Sequence, residues 1–206
     1  MDSNGRTTNP TDEPDQFAWG LSNGIAVLAI SGVFWLSLAA WAAGFGALVV
    51  ALPPILIVGG ILIKCSVQLR RRFPKFSPRS LRAAPKGSLT RRLTIGIYAV
   101  TTAQSVSIIW IGVICSALNR TDLIWPLIGL VISLHFLPLG WLFGVRPYYL
   151  LAVVGTIITV VSILSFTDGF RLVAVGLGLG VLTVASAVYL VANGESQIWS
   201  GALRTS

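Results

Sequence analysis

Five long segments of this chain contain no charged residue, and each of them is strongly apolar. Asp, Glu, Lys and Arg are absent from residues 16–63, 93–119, 123–145, 147–167 and 172–194. A transmembrane helix needs about 20 apolar residues to cross about 30 Å of hydrocarbon. The first segment is long enough for two crossings, and each of the others for one. The pattern predicts an all-α polytopic membrane protein, a bundle of six transmembrane helices.

The first segment must contain a turn if it crosses the membrane twice. We place this turn at Gly44-Phe45-Gly46, because two glycines flanking an aromatic residue weaken a helix and suit a tight hairpin. Pro53-Pro54 offers a competing break. Two prolines persist inside a span only where neighbouring groups satisfy the carbonyls that they free.

The composition supports the same fold class. Hydrophobic residues make up 54% of the chain and its mean hydropathy is +0.81, against about 45–50% apolar residues in soluble domains. A soluble α/β protein of this length would carry charged faces on its helices, and these segments have none. Residues 17–194 are therefore predicted to be the transmembrane domain. Residues 1–16, which are polar and mildly acidic, are predicted to be a disordered tail, and residues 195–206 a C-terminal tail.

The positive charge is concentrated in one place. Of 15 Lys and Arg residues, 10 fall between Lys64 and Arg92. Short basic loops stay on the cytoplasmic side, and the remaining cations near the spans stand alone. Loop 64–92 and both termini are therefore predicted to be cytoplasmic, with the turns near residues 119–122 and 167–171 outside. We expect the protein in the inner (plasma) membrane.

Loop 64–92 interleaves cations with Phe73, Phe76 and Leu81, and three prolines interrupt any continuous helix. One interpretation is that it sets topology and meets anionic lipid headgroups without specificity, since each cation near an anionic leaflet contributes about 1 kcal/mol. The other is a docking site for a phosphorylated lipid or an acidic partner. Nucleic acid is not expected, because the membrane already neutralises these charges. The candidate lipid contacts are Arg70, Arg71, Arg72, Lys75, Arg79 and Arg82.

His135 is the one titratable residue of acid–base range within a predicted span. Pro138 cannot donate to the carbonyl of Leu134, so a freed acceptor lies beside the imidazole. Intramembrane ionisable groups are functional candidates, yet a neutral histidine bonded across helices is also a common structural contact. Both interpretations stay open. Gln104 lies near the same depth, so the two would meet if spans three and four form a hairpin. The candidate intramembrane polar site is His135, Gln104, Thr101 and Ser105.

Small and polar residues predict which helix faces point inward, because membrane helices associate through close packing and hydrogen bonds. Three such faces are predicted. They are Thr94, Tyr98, Thr101, Ser105, Ile108, Gly112, Cys115 and Asn119 in span three; Gly155, Thr159 and Ser162 in span five; and Gly176, Gly180, Thr183 and Ala187 in span six.

Few residues of this chain could act as catalytic groups. No predicted span contains a carboxylate, and the chain has one histidine. Cys65 and Cys115 are predicted to lie at opposite membrane surfaces, too far apart for a disulfide. We therefore expect neither an enzyme nor a bound cofactor or metal.

The run Leu134-His135-Phe136-Leu137-Pro138-Leu139, followed by Leu142-Phe143 and Tyr148-Tyr149, resembles a pattern in small bacterial multi-pass membrane proteins of a domain-of-unknown-function family. The resemblance covers about one sixth of the chain, and Gly140-Trp141 departs from the pattern. It implies a six-helix bacterial membrane protein and carries no activity with it.

Two classes of function fit these observations. The first is a small transporter or channel-like protein, for which a polar cavity reaching His135 and Gln104 would be expected. The second is a non-transporting structural or regulatory membrane protein that acts through the basic loop, for which a dry and tightly packed bundle would be expected. A homo-oligomer is compatible with either.

Overall fold

The computed structural model describes residues 12–72, 89–143 and 146–205. The regular structure in these ranges is helical. The helices are α1 (Asp12–Ala42), α2 (Phe45–Arg72), α3 (Leu89–Ala117), α4 (Ile124–Phe143), α5 (Arg146–Ser165) and α6 (Asp168–Thr205), with a short 3-10 turn at Thr121–Leu123 before α4.

Six stretches of the described residues are long and apolar enough to cross a membrane, one for each of these helices, and that of α4 includes the 3-10 turn before it. The stretches are Leu21–Ala42, Phe45–Arg71, Ile95–Ala117, Thr121–Leu142, Pro147–Ser165 and Gly169–Asn193. The predicted fold class, an all-α protein with six potential spans, is confirmed. The side of the membrane that holds each terminus stays a prediction.

The turn in the first apolar segment lies where the sequence predicts it. α1 ends at Ala42, α2 begins at Phe45, and Gly44 has φ of 117°. Glycine adopts this left-handed conformation without the penalty that a Cβ would bring. The competing break does not occur, because Pro53 and Pro54 both lie inside the continuous α2. Each proline removes one backbone bond, and the surrounding turns keep theirs.

The helices continue beyond the boundaries that the charges suggest. α1 begins at Asp12, inside the segment predicted as a tail, and α6 continues to Thr205 through the predicted C-terminal tail. α2 likewise takes in 64–72 of the predicted basic loop, and α3 takes in 89–92. Residues 1–11, 73–88, 144–145 and 206 lie outside the described residues.

The bundle has a core of four helices and two helices at its rim. α1 packs most extensively against α6, and α4 packs along α5, which in turn contacts α6. α2 lies against α1, and α3 packs chiefly against α4. The buried side chains belong mainly to α1, α4, α5 and α6. They include Leu21, Ile25, Leu28, Trp35, Phe136, Tyr148, Leu151, Val175, Leu179 and Leu190.

Two of the three predicted interior faces are confirmed. Gly176 and Gly180 let α6 approach α1, since a Cβ on Gly176 would lie 2.8 Å from the Trp35 carbonyl oxygen, and one on Gly180 would lie 2.6 Å from Leu36 Cγ. On α5, Gly155 faces Ser133 in the same way. The other members of the two faces, Thr159, Ser162, Thr183 and Ala187, are all buried.

The interior prediction for span three is wrong for most of its polar residues. Tyr98 is 67% exposed, and Thr101 and Ser105 are exposed as well, whereas Cys115 is buried. The reason is that α3 lies at the rim and contacts α4 through a neighbouring face. Its hydroxyls can still be satisfied without a partner helix, as Ser105 Oγ donates to the Thr101 carbonyl at 2.9 Å.

Candidate functional site

The antiparallel order of the helices gives the bundle two different ends. We call the end where α2 stops at Arg72 the basic end. The opposite end carries the turns at residues 43–44, 118–123 and 166–167. Candidate residues occur at both ends and between them.

His135 lies half-buried on α4 and bonds within its own helix. Its Nδ1 is 2.6 Å from the Ile132 carbonyl oxygen. A carbonyl only accepts, so Nδ1 carries the proton in this arrangement and Nε2 keeps the lone pair. The imidazole lies against Phe136, with ring centroids 4.3 Å apart, and Phe136 in turn contacts Tyr148 on α5. The ring contact with α5 is thus made by Phe136, and the imidazole packs against that ring from within α4.

Gln104 is half-buried on α3 and lies at the level of His135. The register follows from Gly96, where a Cβ would lie 2.8 Å from Leu142 Cδ1 on antiparallel α4. Within the described ranges, no hydrogen bond joins the Gln104 and His135 side chains. Thr101 and Ser105 are exposed. The structure thus brings two of the four predicted residues to one depth of the α3–α4 contact and leaves the other two on the outer surface.

Several buried hydroxyls of the core donate to their own helices. Ser133 Oγ donates to the Gly129 carbonyl at 2.9 Å, Thr159 Oγ1 to Gly155 at 2.8 Å, and Thr183 Oγ1 to Leu179 at 2.8 Å. A hydroxyl that already donates its hydrogen to a carbonyl of its own helix is not free to donate to a solute, and it adds little to a polar pathway. These residues contribute mainly small volume and close helix contact.

At the basic end, α2 forms a helical extension that is fastened to α1. Ser66 Oγ donates to the Ser22 carbonyl at 2.7 Å, and both serines are buried. Leu69 packs against the main apolar cluster. Lys64, Arg70 and Arg71 are exposed on this extension.

The remaining predicted lipid contacts are placed less fully. Arg72 is the last residue of α2, and nothing is described of its side chain. Lys75, Arg79 and Arg82 lie outside the described residues. Their assignment as contacts for anionic lipid stays a prediction.

The opposite end contains a charged network that the sequence analysis did not identify. Asp122 Oδ2 accepts from Arg171 Nη1 at 2.6 Å, and Asp122 Oδ1 accepts from Arg120 Nε at 3.2 Å. Arg171 Nε also donates to the Phe166 carbonyl at 3.1 Å. Asn119 has φ of 54°, a left-handed conformation that Asn tolerates better than most residues. It makes the sharp turn between α3 and the 3-10 turn that contains Asp122.

The sequence contained one usable signal for this network. Asp122 and Arg171 border predicted spans at the same end of the bundle, and their charges are opposite. Taken separately, each looks like a lone boundary charge. Their pairing depends on α4 and α6 being neighbours, which no local pattern encodes.

Other reactive groups do not gather into a centre. Cys65 is half-buried and Cys115 buried, and both are free thiols. Over residues 12–72, 89–143 and 146–205, no group of three His, Cys, Asp or Glu side chains is placed to hold a metal ion.

No protein-family model, no curated protein and no solved structure matches this chain. The resemblance of the segment around His135 to small bacterial membrane proteins therefore stays an expectation, and the function must be argued from the geometry.

Proposed function

We propose that this protein is a non-transporting structural or regulatory membrane protein that presents a cationic helical surface to anionic headgroups on the cytoplasmic side. The observation that carries the proposal is the extension of α2. Arg70 and Arg71 are exposed there, on a helix that the Ser66–Ser22 hydrogen bond and the packing of Leu69 hold against the core.

A fixed cationic surface favours this role for a physical reason. Each cation near an anionic leaflet contributes about 1 kcal/mol. A side chain on a packed helix loses less backbone freedom on binding than one on a flexible loop. Lys64 and Arg71 are two helical turns apart on one face, which suits contact with a row of headgroups.

The core supports the absence of transport. Gly155, Gly176 and Gly180 bring neighbouring helices into close contact. Ser133, Thr159 and Thr183 donate to carbonyls of their own helices, so these hydroxyls offer no proton to a passing solute. Such an interior is typical of a scaffold held together by packing.

The lipid preference is tested with the purified protein in nanodiscs of phosphatidylcholine, with and without phosphatidylglycerol. We expect phosphatidylglycerol to raise the melting temperature of the unmodified protein. The double variant Arg70→Gln with Arg71→Gln should lose most of that increase. Arg120→Gln removes an exposed guanidinium at the opposite end and is the matched control, which should keep the full increase. An equal increase in all three proteins would contradict the proposal.

The transport hypothesis rests on the half-buried His135 at the level of Gln104, and the same protein tests it. In proteoliposomes with an imposed pH gradient and an internal pH-sensitive dye, we expect the gradient to decay as slowly as in protein-free liposomes. A faster decay that His135→Gln abolishes would replace the scaffold proposal with proton transport.

A further inference from the structure

We infer that Asp122 and Arg171 form a latch that holds the α3–α4 hairpin against the start of α6 and closes the opposite end of the bundle over Trp35. This latch is independent of the basic end and of any lipid bound there. It joins residues that are far apart in the sequence, and it connects the turn before α4 with the first turn of α6.

Arg171 is the central residue of this latch. Its side chain is 10% exposed, although it carries a full charge. Besides the 2.6 Å bond to Asp122, it donates through Nε to the Phe166 carbonyl at the end of α5. One guanidinium therefore connects three parts of the opposite end: the turn before α4, the end of α5 and the start of α6. A guanidinium suits this role because its donors point in fixed directions.

The latch lies directly above an apolar cluster. Val175 is one helical turn after Arg171 and packs with Leu179 against Trp35, and all three are buried. On α4, Gly129 faces the same cluster, since a Cβ there would lie 3.2 Å from Val175 Cγ1. Trp125, near the start of α4, contacts Phe34 with ring centroids 5.8 Å apart. The Asp122–Arg171 pair thus continues, at the surface, the contact that α4 makes with α1 and α6.

The buried indole of Trp35 explains why the opposite end of the bundle needs to be closed to water. The Trp35 side chain is fully buried, and its indole Nε1 has no hydrogen-bond partner among the described residues. An unpaired donor in an apolar interior favours any movement that brings water to it. The closed arrangement must therefore be stabilised by the helices packed around the indole. The latch joins two of them, because it connects the turn before α4 with the start of α6.

The two arginines bonded to Asp122 are not equivalent, and this supplies a matched control. The Arg120 side chain is 56% exposed, whereas that of Arg171 is 10% exposed. Exposed ion pairs contribute little. The Asp122–Arg171 pair is only partly buried, since Asp122 is 23% exposed, but removing the Asp122 charge leaves the nearly buried guanidinium of Arg171 without its carboxylate. Only the loss of Arg171 or of the Asp122 charge should open the latch.

Hydrogen–deuterium exchange of the full chain in detergent, read by mass spectrometry, tests the inference. We expect Asp122→Asn and Arg171→Gln each to speed exchange about tenfold in peptides covering residues 124–130 and 169–176, as a locally opened segment would. Arg120→Gln should exchange like the unmodified protein.

The exchange rates of these variants either support the latch or overturn it. Unchanged exchange in both Asp122→Asn and Arg171→Gln would overturn the latch, as would an equal effect of Arg120→Gln. If Arg171→Gln does not fold, Asp122→Asn still decides, since it leaves the guanidinium of Arg171 in place, and unchanged exchange in Asp122→Asn would then overturn the latch. Acceleration spread over all peptides alike would indicate general destabilisation and would also overturn the latch.

Discussion

Gly24 allows the Tyr148 side chain of α5 to lie against α1. A Cβ at Gly24 would overlap the Tyr148 hydroxyl oxygen, while it would lie 3.5 Å from Cζ, an ordinary contact. Tyr148 is 5% exposed and has little room to move away. We therefore expect Gly24→Ala to destabilise the protein by about 1–3 kcal/mol, the usual cost of overpacking, and to lower the melting temperature measured in detergent.

Two further variants make this prediction specific. Tyr148→Phe removes the overlapping oxygen, so Gly24→Ala should lower the melting temperature less in a Tyr148→Phe background than in the unmodified protein. Gly60→Ala is the control, because nothing lies within 4 Å of a Cβ at that position in α2. It should be neutral or slightly stabilising, by about 0.5–1 kcal/mol at most. Equal losses at Gly24 and Gly60 would refute the packing argument.

For His135, the sequence predicted the need for a hydrogen-bond partner but not the identity of that partner. Its position in a span identified it as a polar group that needs a partner, and the structure provides one in the Ile132 carbonyl. Because that partner is on the same helix, we expect His135→Gln to remain folded, with a melting temperature close to that of the unmodified protein. A large loss would mean that the imidazole makes an essential contact with another helix.

Among the elements, α3 differs from the other helices. Its apolar stretch contains little buried surface, and its polar residues Tyr98, Thr101 and Ser105 are exposed. The small and polar residues of α3 were predicted to face inward, but the sequence does not encode which helix would cover them, and in the structure most of the polar ones stay exposed. Heptad-spaced small residues indicate that close packing is permitted, and the number of neighbours depends on the arrangement of the whole bundle.

Paired serine substitutions test the difference between rim and core helices. Ser162 on α5 is 3% exposed, whereas Ser105 on α3 is exposed. Ser162→Leu should lower the melting temperature clearly, since overpacking a core costs about 1–3 kcal/mol. Ser105→Leu should leave it within error. Comparable losses for both would show that α3 is covered in the folded protein, as it would be by a partner helix.

At the scale of the whole molecule, the charges accounted for the number of helices but not for their ends. Uncharged runs predicted six spans because a buried charge is costly in hydrocarbon, and the described part of the chain contains six such helices. Charged residues are excluded from the hydrocarbon but not from a helix in water. α2 therefore continues through Lys64 to Arg72, and α6 continues past Asn193, because these residues have adequate helix propensity.

The two ends of the molecule now differ in chemistry as well as in charge. The basic end presents Lys64, Arg70 and Arg71 outward. At the opposite end, Arg120 and Arg171 both pair with Asp122. The first property could be predicted because the cations are adjacent in the sequence. The second could not, because Asp122 and Arg171 become neighbours only when α4 and α6 pack together.

We predict that the basic end faces the cytoplasm and the opposite end faces out, and cysteine labelling in intact cells tests this orientation. In a background with Cys65→Ser and Cys115→Ala, one variant carries Thr121→Cys, at an exposed position of the opposite end, and another carries Ser77→Cys between α2 and α3. An impermeant thiol reagent should label Thr121→Cys in intact cells and Ser77→Cys only after permeabilisation. Labelling of Ser77→Cys from outside, with Thr121→Cys protected, would contradict the account.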